Sequence, residues 1–342
     1  MHCELLVPAL MSAREALHDA LAGLQLPGLE TLLARGRSAW SQALTAERWL
    51  VEAFNDEDAP LPAGALTVLA DAAPDMDPGG ALWMRADPVH LRLHGDVLTL
   101  VPGTVSGIAC EEADAFCDTL SRHFTGAVTF YATRAERWCG RLESEIAVAS
   151  ESALAVAGSD LDAHLGARAD ARRWHALLNE IQMVLHEHPA NRAREERGVP
   201  QINSVWLWGA GRLPAAARGP WHSVAADEPI ALGLARLAGM HHRPLPRSAA
   251  EWLAHAPEDG RHLFVLDALR VPNALGDAQA YRDSLLRLET LWFAPLLAAL
   301  RAGRIGMVTL HVPDASQALS FETARGDLMR FWRRARRLAS YA

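Results

Sequence analysis

The chain has 342 residues, enough for a sizeable core in one large domain or two modest ones. Half of the residues are apolar and 22% are charged, which excludes a disordered chain, and the net charge of −8 argues against a general nucleic-acid binder, whose phosphate contacts call for a basic excess. No apolar run approaches the ~18 residues of a membrane span, and the start Met1-His2-Cys3-Glu4 lacks a secretory leader's basic opening, so a cytoplasmic protein is expected.

In chain order, a short apolar strand is expected over Cys3–Val7, broken by Pro8, then helices over Ala13–Leu21 and from Pro27 to Gly36. Asn55–Gly80, rich in Pro, Gly, Ala and Asp, reads as loops around the apolar segment Leu66–Ala70. Val89–Arg92 and Val97–Val101 flank Gly95-Asp96 as a hairpin. Glu111–Phe124 has the helical period, and Ala127–Ala132 and Trp138–Leu142 read as strands, which together suggest a compact α+β insert.

From Ala171 an apolar stripe through Trp174, Leu177, Leu178, Ile181, Val184 and Leu185 predicts a helix ending before Pro189. Strand Ile202–Trp208 then runs into a Gly209-Ala210-Gly211 turn. A helix near Pro229–Ala238, strand His262–Leu266, a helix over Ala280–Arg301, strand Ile305–His311 and a final helix Arg325–Ala339 complete the pattern. Strands alternating with helices around an α+β insert imply an α/β core carrying a cap.

The basic residues total 33 and all are Arg. This excludes Schiff-base chemistry and a phosphate-loop lysine, and leaves Arg forks or backbone amides for any phosphate. The four cysteines, Cys3, Cys110, Cys117 and Cys139, form no CxxC pair and no zinc-finger spacing; Cys110 and Cys117 read as core positions on one helical face.

The densest unusual segment holds His186-Glu187-His188-Pro189-Ala190-Asn191-Arg192, Gly198, Ile202-Asn203-Ser204-Val205-Trp206-Leu207-Trp208-Gly209-Ala210-Gly211 and Pro214. It resembles the archaeal-type, cofactor-independent phosphoglycerate mutases of the alkaline-phosphatase superfamily, with Gly233-Leu234-Ala235, Gly239-Met240 and Leu26-Pro27-Gly28-Leu29-Glu30 continuing the likeness. Ala86-Asp87-Pro88-Val89-His90-Leu91 and Phe331-Trp332-Arg333-Arg334 also resemble a bacterial group of RpfE-type regulatory proteins. The resemblance implies an alkaline-phosphatase-like three-layer α/β core with a small inserted α+β cap: residues 1–86 and 173–342 as the two parts of the core, and 87–172 as the cap.

The resemblance also implies two divalent metals, Mn or Zn, held by Asp and His at strand ends, and a Ser nucleophile. The matching positions here lack them. The first strand ends Val7-Pro8-Ala9-Leu10, Leu61–Thr67 holds no Ser, Arg270 and Ala274 stand where an Asp and a His belong, and Asp314-Ala315 replaces an Asp-His pair. The expectation is therefore a diverged protein with no catalytic residues, no metal and no cofactor. It would retain a cleft for a phosphorylated or carboxylated metabolite or a protein partner, possess no membrane association, and have no nucleic-acid partner. The alternative is an active phosphoglycerate mutase with relocated ligands.

The expected ligand-binding set is His188, Asn191, Arg192, Arg197, Asn203, Gly209 and Gly211. Arg forks suit phosphate and carboxylate oxygens, and the two glycines let backbone amides approach a ligand closely. A competing arrangement remains open, in which this is a packed strand–turn corner and Asn191 and Asn203 satisfy backbone groups. Trp206, Trp208 and Trp221 read as core aromatics. The run Arg330, Arg333, Arg334, Arg336, Arg337 reads as a solvated helix end offsetting the macrodipole, the other possibility being a nucleic-acid contact.

Overall fold

Residues 1–11, 17–54, 60–71, 76–94, 97–144, 151–164, 168–255, 259–314 and 317–341 are described by a computed structural model. In chain order the strands are β1 (His2–Leu6), β2 (Arg37–Ser41), β3 (Leu82–His94), β4 (Val97–Pro102), β5 (Val128–Arg134), β6 (Arg137–Leu142), β7 (Ser204–Arg212), β8 (Ser223–Ala225), β9 (His241–Arg243), β10 (Arg261–Val265), β11 (Met307–Val312) and β12 (Ala318–Ala324). They divide between two compact units, Met1–Ala59 with Ala216–Ala342, and Pro60–Ala215.

The first unit is built on a seven-stranded sheet in the order β2-β12-β11-β1-β10-β8-β9. Strands β11, β1, β10, β8 and β9 run parallel, while β12 and β2 add an antiparallel edge. The two-residue period decides the faces. Cys3, Leu5 and Val7 of the β1 region, Phe264 of β10 and Val308 and Leu310 of β11 enter one apolar cluster with Leu29, Leu32, Leu285, Leu296 and Leu300 from helices Pro27–Arg35, Ala278–Leu288 and Ala294–Arg301. Each fully buried Leu or Phe there contributes roughly 1.5–3 kcal/mol relative to exposure. The alternate residues point the other way, where the His311 ring packs 4.7 Å from Trp49 of helix Ala46–Phe54. Helix, sheet and helix thus form the expected three-layer α/β core.

The predicted helix over Ala280–Arg301 contains a π-helical turn, Glu289–Phe293, in which the Ala294 amide donates to the Glu289 carbonyl. Pro295 lacks an amide hydrogen, and the wider turn shifts the ladder just ahead of it. The turn also presents the Glu289 carboxylate to the amides of Gly28 (2.6 Å) and Leu29 (3.0 Å), and so caps helix Pro27–Arg35, whose own N-cap residue Leu26 cannot. The predicted helix Arg325–Ala339 is a different matter. Only Arg325–Met329 and Leu338–Ser340 form short 3-10 turns, and 330–337 is irregular.

On the polar face of β1, Glu4 is 2% exposed and takes hydrogen bonds from Arg261 Nε (2.7 Å) and His311 Nε2 (3.2 Å). Burial alone would raise its carboxyl; the bonds from His311 and Arg261 win and hold it at about 2. An acid with a depressed folded value stabilises the fold above its unfolded value and loses that contribution as pH falls towards the folded one. Wild type is therefore expected to lose about 2 kcal/mol between mildly acid pH and about pH 2 through this group, after discounting for the half-exposed Arg261. Acid denaturation of Glu4→Gln should lack that component, and an identical pH slope in the variant would refute the assignment.

The second unit holds a five-stranded antiparallel sheet in which β4-β3-β6-β5 follow in order and β7 also pairs with β3. Helix Cys110–His123 lies against β5, with Phe116, Cys117 and Leu120 buried and Cys110, placed in the core by its spacing, exposed. The hairpin, helix and two following strands match the predicted insert. Its expected limits at 86/87 and 172/173 fall inside this unit, because β3 starts at Leu82 and finds its partner β7 only at 204–212. Leu66–Ala70 belongs to a helix, Ala63–Asp71, packed on β3 and β7.

Candidate functional site

The expected ligand-binding residues fall in the second unit, and most of them are engaged by the fold itself. Asn191 is fully buried in helix Pro189–Glu196. Its amide donates to the carbonyls of Leu185 and Ile202 (both 2.8 Å), and its Oδ1 accepts the Ile202 amide (2.9 Å). Asn203 forms a matching pair with the Leu91 backbone, at 2.7 and 2.9 Å. This is the corner arrangement left open above: both asparagines stand in for backbone partners where β7 begins. Asn191→Ala takes the partner from the Ile202 carbonyl and amide, while the Leu185 carbonyl keeps the His188 amide (3.1 Å), so a loss of about 2 kcal/mol is expected in denaturant titration; unchanged stability would show the site to be hydrated.

Arg197 pairs with Glu112, which also receives the buried Arg194 (2.8 Å), and Arg194 bonds the Pro200 carbonyl (2.9 Å) as well. Burial would raise the Glu112 carboxyl, but the Ala109 amide, Arg197 and Arg194 together bring it down. Arg192 is exposed on the same short helix. A buried Asn191 and a paired Arg197 do not converge with Arg192 on an open anion site.

Gly209 and Gly211 do not form a turn. They lie inside β7, where Trp83 faces Gly211 and Arg85 faces Trp208, so the strand bulges at Gly209, whose φ is +58°. A Cβ on Gly209 would meet Ala63 Cβ at 2.5 Å, and one on Gly211 would meet Pro62 Cβ at 2.8 Å. Their function is close approach to helix Ala63–Asp71. Trp206 and Trp208 are buried with their indole N–H groups on Glu151 O (2.9 Å) and Asp87 Oδ2 (2.7 Å). Trp221 is likewise buried, against Phe54, in the first unit.

His188 is the exception. It caps helix Pro189–Glu196 by accepting the Ala190 amide at Nδ1 (3.2 Å), its Nε2 lies 3.2 Å from Thr119 Oγ1, and it lines a cavity of about 520 Å³ with Thr119, Arg122 and Glu187. Burial lowers its imidazole below the ordinary value, favouring the neutral ring.

The arrangement with the most chemistry lies in the first unit, past the carboxyl ends of adjacent parallel strands β8 and β10, where open α/β sheets place their ligands. Beyond β8, Glu228 caps helix Pro229–Leu237 through the Ala231 amide (2.7 Å). Beyond β10, Arg270 opens helix Arg270–Leu275 and pairs with Glu47, from the first turn of helix Ala46–Phe54. Burial works against the guanidinium charge, and Glu47, Glu228 and Asp267 more than offset it. Burial drives the Glu228 carboxyl upward, against the Ala231 amide and Arg270. Sequence reasoning marked Arg270 but missed Glu47, whose helix it did not predict, and gave Glu228 no role.

This cluster tests the metal pair implied by the resemblance. Three acids, Glu47 from a helix's first turn and Glu228 and Asp267 from beyond β8 and β10, act on one fixed guanidinium, Arg270. A divalent ion beside it would meet like charge. Among the described residues no group of three or more His, Cys, Asp or Glu is arranged to hold a metal. At this cluster the residues do not fit the implied pair.

No family model matches the chain. It is 40% identical over 62 residues to a probable 2,3-bisphosphoglycerate-independent phosphoglycerate mutase of Geobacter sulfurreducens, covering 18% of this chain and 16% of the relative. To a 2,3-bisphosphoglycerate-independent phosphoglycerate mutase of Methanosarcina mazei it is 27% identical over 140 residues, 38% of this chain and 34% of that one. The matches thus span a sixth to a third of the relatives' length. The solved PH0037 protein from Pyrococcus horikoshii shares the fold, with a TM-score of 0.54 at 12% identity over 94% of this chain and 87% of that one. The chain is thus related to cofactor-independent phosphoglycerate mutases over part of its length. No helix among the described residues is long and apolar enough to cross a membrane.

Proposed function

We propose that the chain is a diverged, cytoplasmic relative of cofactor-independent phosphoglycerate mutase that has exchanged metal-dependent phosphoryl transfer for binding, in a regulatory role of the RpfE type. The observation that carries this reading is Arg270, a guanidinium ion-paired with Glu47 beside Glu228 and Asp267 at the carboxyl edge of the parallel sheet. Such a pair neutralises internally the charge that a bound cation would otherwise balance. The ligand is a phosphorylated or carboxylated metabolite, or a segment of a protein partner bearing such a group. The cavity beside His188 offers Arg122 as its cation.

Purified protein is expected to carry less than about one tenth of an equivalent of Mn or Zn, and to leave 2- and 3-phosphoglycerate unconverted with either metal added. Two tightly held metals per chain, with turnover, would establish the alternative, an active mutase with relocated ligands. For the binding function, phosphorylated and carboxylated metabolites should raise the melting temperature, since a ligand of the folded state alone stabilises by about 2.7 kcal/mol at a hundredfold excess over Kd. Arg122→Ala should remove that shift. Arg192→Ala, at an exposed position, should keep it and alter stability by no more than about 0.5 kcal/mol. A shift lost in Arg192→Ala and kept in Arg122→Ala would move the ligand off this cavity.

A further inference from the structure

The C-terminal arginines lie in the first unit and acquire a different meaning from their backbone. A helix end would explain them as partners of a macrodipole, but 330–337 is not helical and offers no dipole to offset. Three of them hold the segment down. Arg330 pairs with Asp327 (2.9 Å), Arg333 donates to the Gly36 carbonyl (2.7 Å), and Arg337 reaches the Leu24 carbonyl (3.3 Å) and Glu30 (3.6 Å). Arg334 and Arg336 are exposed, and neither forms an ion pair or hydrogen bond among the described residues. Both line a cavity of about 580 Å³, shared with Trp332, Tyr341 and Ser38.

Trp332 is 67% exposed, and Phe331, whose ring lies edge-on to it at 5.4 Å, is 76% exposed. Two arginines without acids, an open indole face and a small-ligand volume therefore occupy one place on a protein whose net charge is −8. Guanidinium forks match phosphate oxygens, and an exposed indole accepts a flat base by stacking. We propose that this cavity binds a nucleotide, with phosphate on Arg334 and Arg336 and the base on Trp332. The acidic remainder of the chain repels a long phosphodiester beyond the patch, which favours a free nucleotide over a strand of nucleic acid as the source.

Calorimetric titration with ADP, inorganic pyrophosphate and a single-stranded oligonucleotide of about 12 residues separates the terms. Wild type should bind ADP, and Arg334→Ala with Arg336→Ala should weaken that binding by at least about tenfold without moving the melting temperature. Trp332→Ala should weaken ADP about tenfold and leave pyrophosphate unchanged, since only the base stacks. Competition between ADP and the oligonucleotide confirms one shared site. ADP binding at least as tightly makes free nucleotide the source, and a tighter, steeply salt-dependent oligonucleotide makes it a nucleic-acid strand. The proposal fails if wild type binds no ADP at millimolar concentration. It also fails if the double arginine variant binds ADP as wild type does, or if Trp332→Ala reduces pyrophosphate and ADP alike.

Discussion

Arg270→Ala is expected to destabilise the first unit by about 3–5 kcal/mol, the loss typical of removing one partner from a buried ion pair. The guanidinium is the positive member of a cluster with Glu47, Glu228 and Asp267, and Glu47 is almost fully buried. Its removal leaves carboxylates facing one another without their cation. They can escape the penalty only by taking up protons, so the deficit should shrink as pH falls towards the carboxyl range. Glu228, which burial already pushes upward, is the first group to do so. Denaturant titration at neutral and mildly acid pH measures both effects. Arg270→Met combined with Glu47→Leu should recover a large part of the loss, because apolar replacement of a whole buried pair is often neutral or better. A single variant within about 1 kcal/mol of wild type at neutral pH would mean that water reaches the cluster and that the ion pair is not what replaces a cation there.

The second large effect is expected at Gly64. A Cβ at this position would stand 2.5 Å from the Met84 Cα, with the adjoining backbone atoms of Met84 equally close. Alanine gains about 1 kcal/mol of helix propensity over glycine, but a backbone-to-backbone clash cannot be relieved by turning a side chain. Gly64→Ala is therefore expected to cost about 3 kcal/mol net, with faster amide exchange along helix Ala63–Asp71. Gly209→Ala should act in the same direction, since it adds left-handed strain to a contact with Ala63. A Gly64→Ala protein as stable as wild type would show that the helix can lift off β3 at little cost.

These glycines illustrate why the site was only partly legible in the sequence. Gly209-Ala210-Gly211 carries the same composition whether it cradles a ligand or seats a helix, and the helix that decides the matter, Ala63–Asp71, lies about 140 residues earlier in an apolar stretch without helical period. Strand β2, Arg37–Ser41, was missed because all five residues are exposed at the sheet's edge, and a strand with no buried face has no alternation to read. With it went helix Ala46–Phe54, and so Glu47. The core strands β1, β10 and β11 were legible as short runs buried on both faces, and the hairpin and helix Cys110–His123 by the period that one-face burial imposes on the chain. The C-terminal segment misled in the opposite direction. Its arginines suit a helix end, but the neighbouring Phe331 and Trp332 are exposed, so no apolar face exists to hold such a helix in place.

Strand β1 has a consequence for biosynthesis. His2–Leu6 is made about 260 residues before β10 and about 300 before β11, yet it lies between them, with His2 opposite Arg261 on one side and Met307 on the other. At about 5–20 residues per second, the ribosome needs roughly 10–50 s to supply even the first of these neighbours. Throughout that interval a strand with both edges unpaired waits in the nascent chain, while Pro60–Ala215 is contiguous and holds every strand of its own sheet. The nascent protein is thus exposed to chaperone capture and to aggregation at this strand until β10 and β11 have been made. Slowing translation anywhere between β1 and β10 should lengthen that exposure, whereas slowing it after β11 should not.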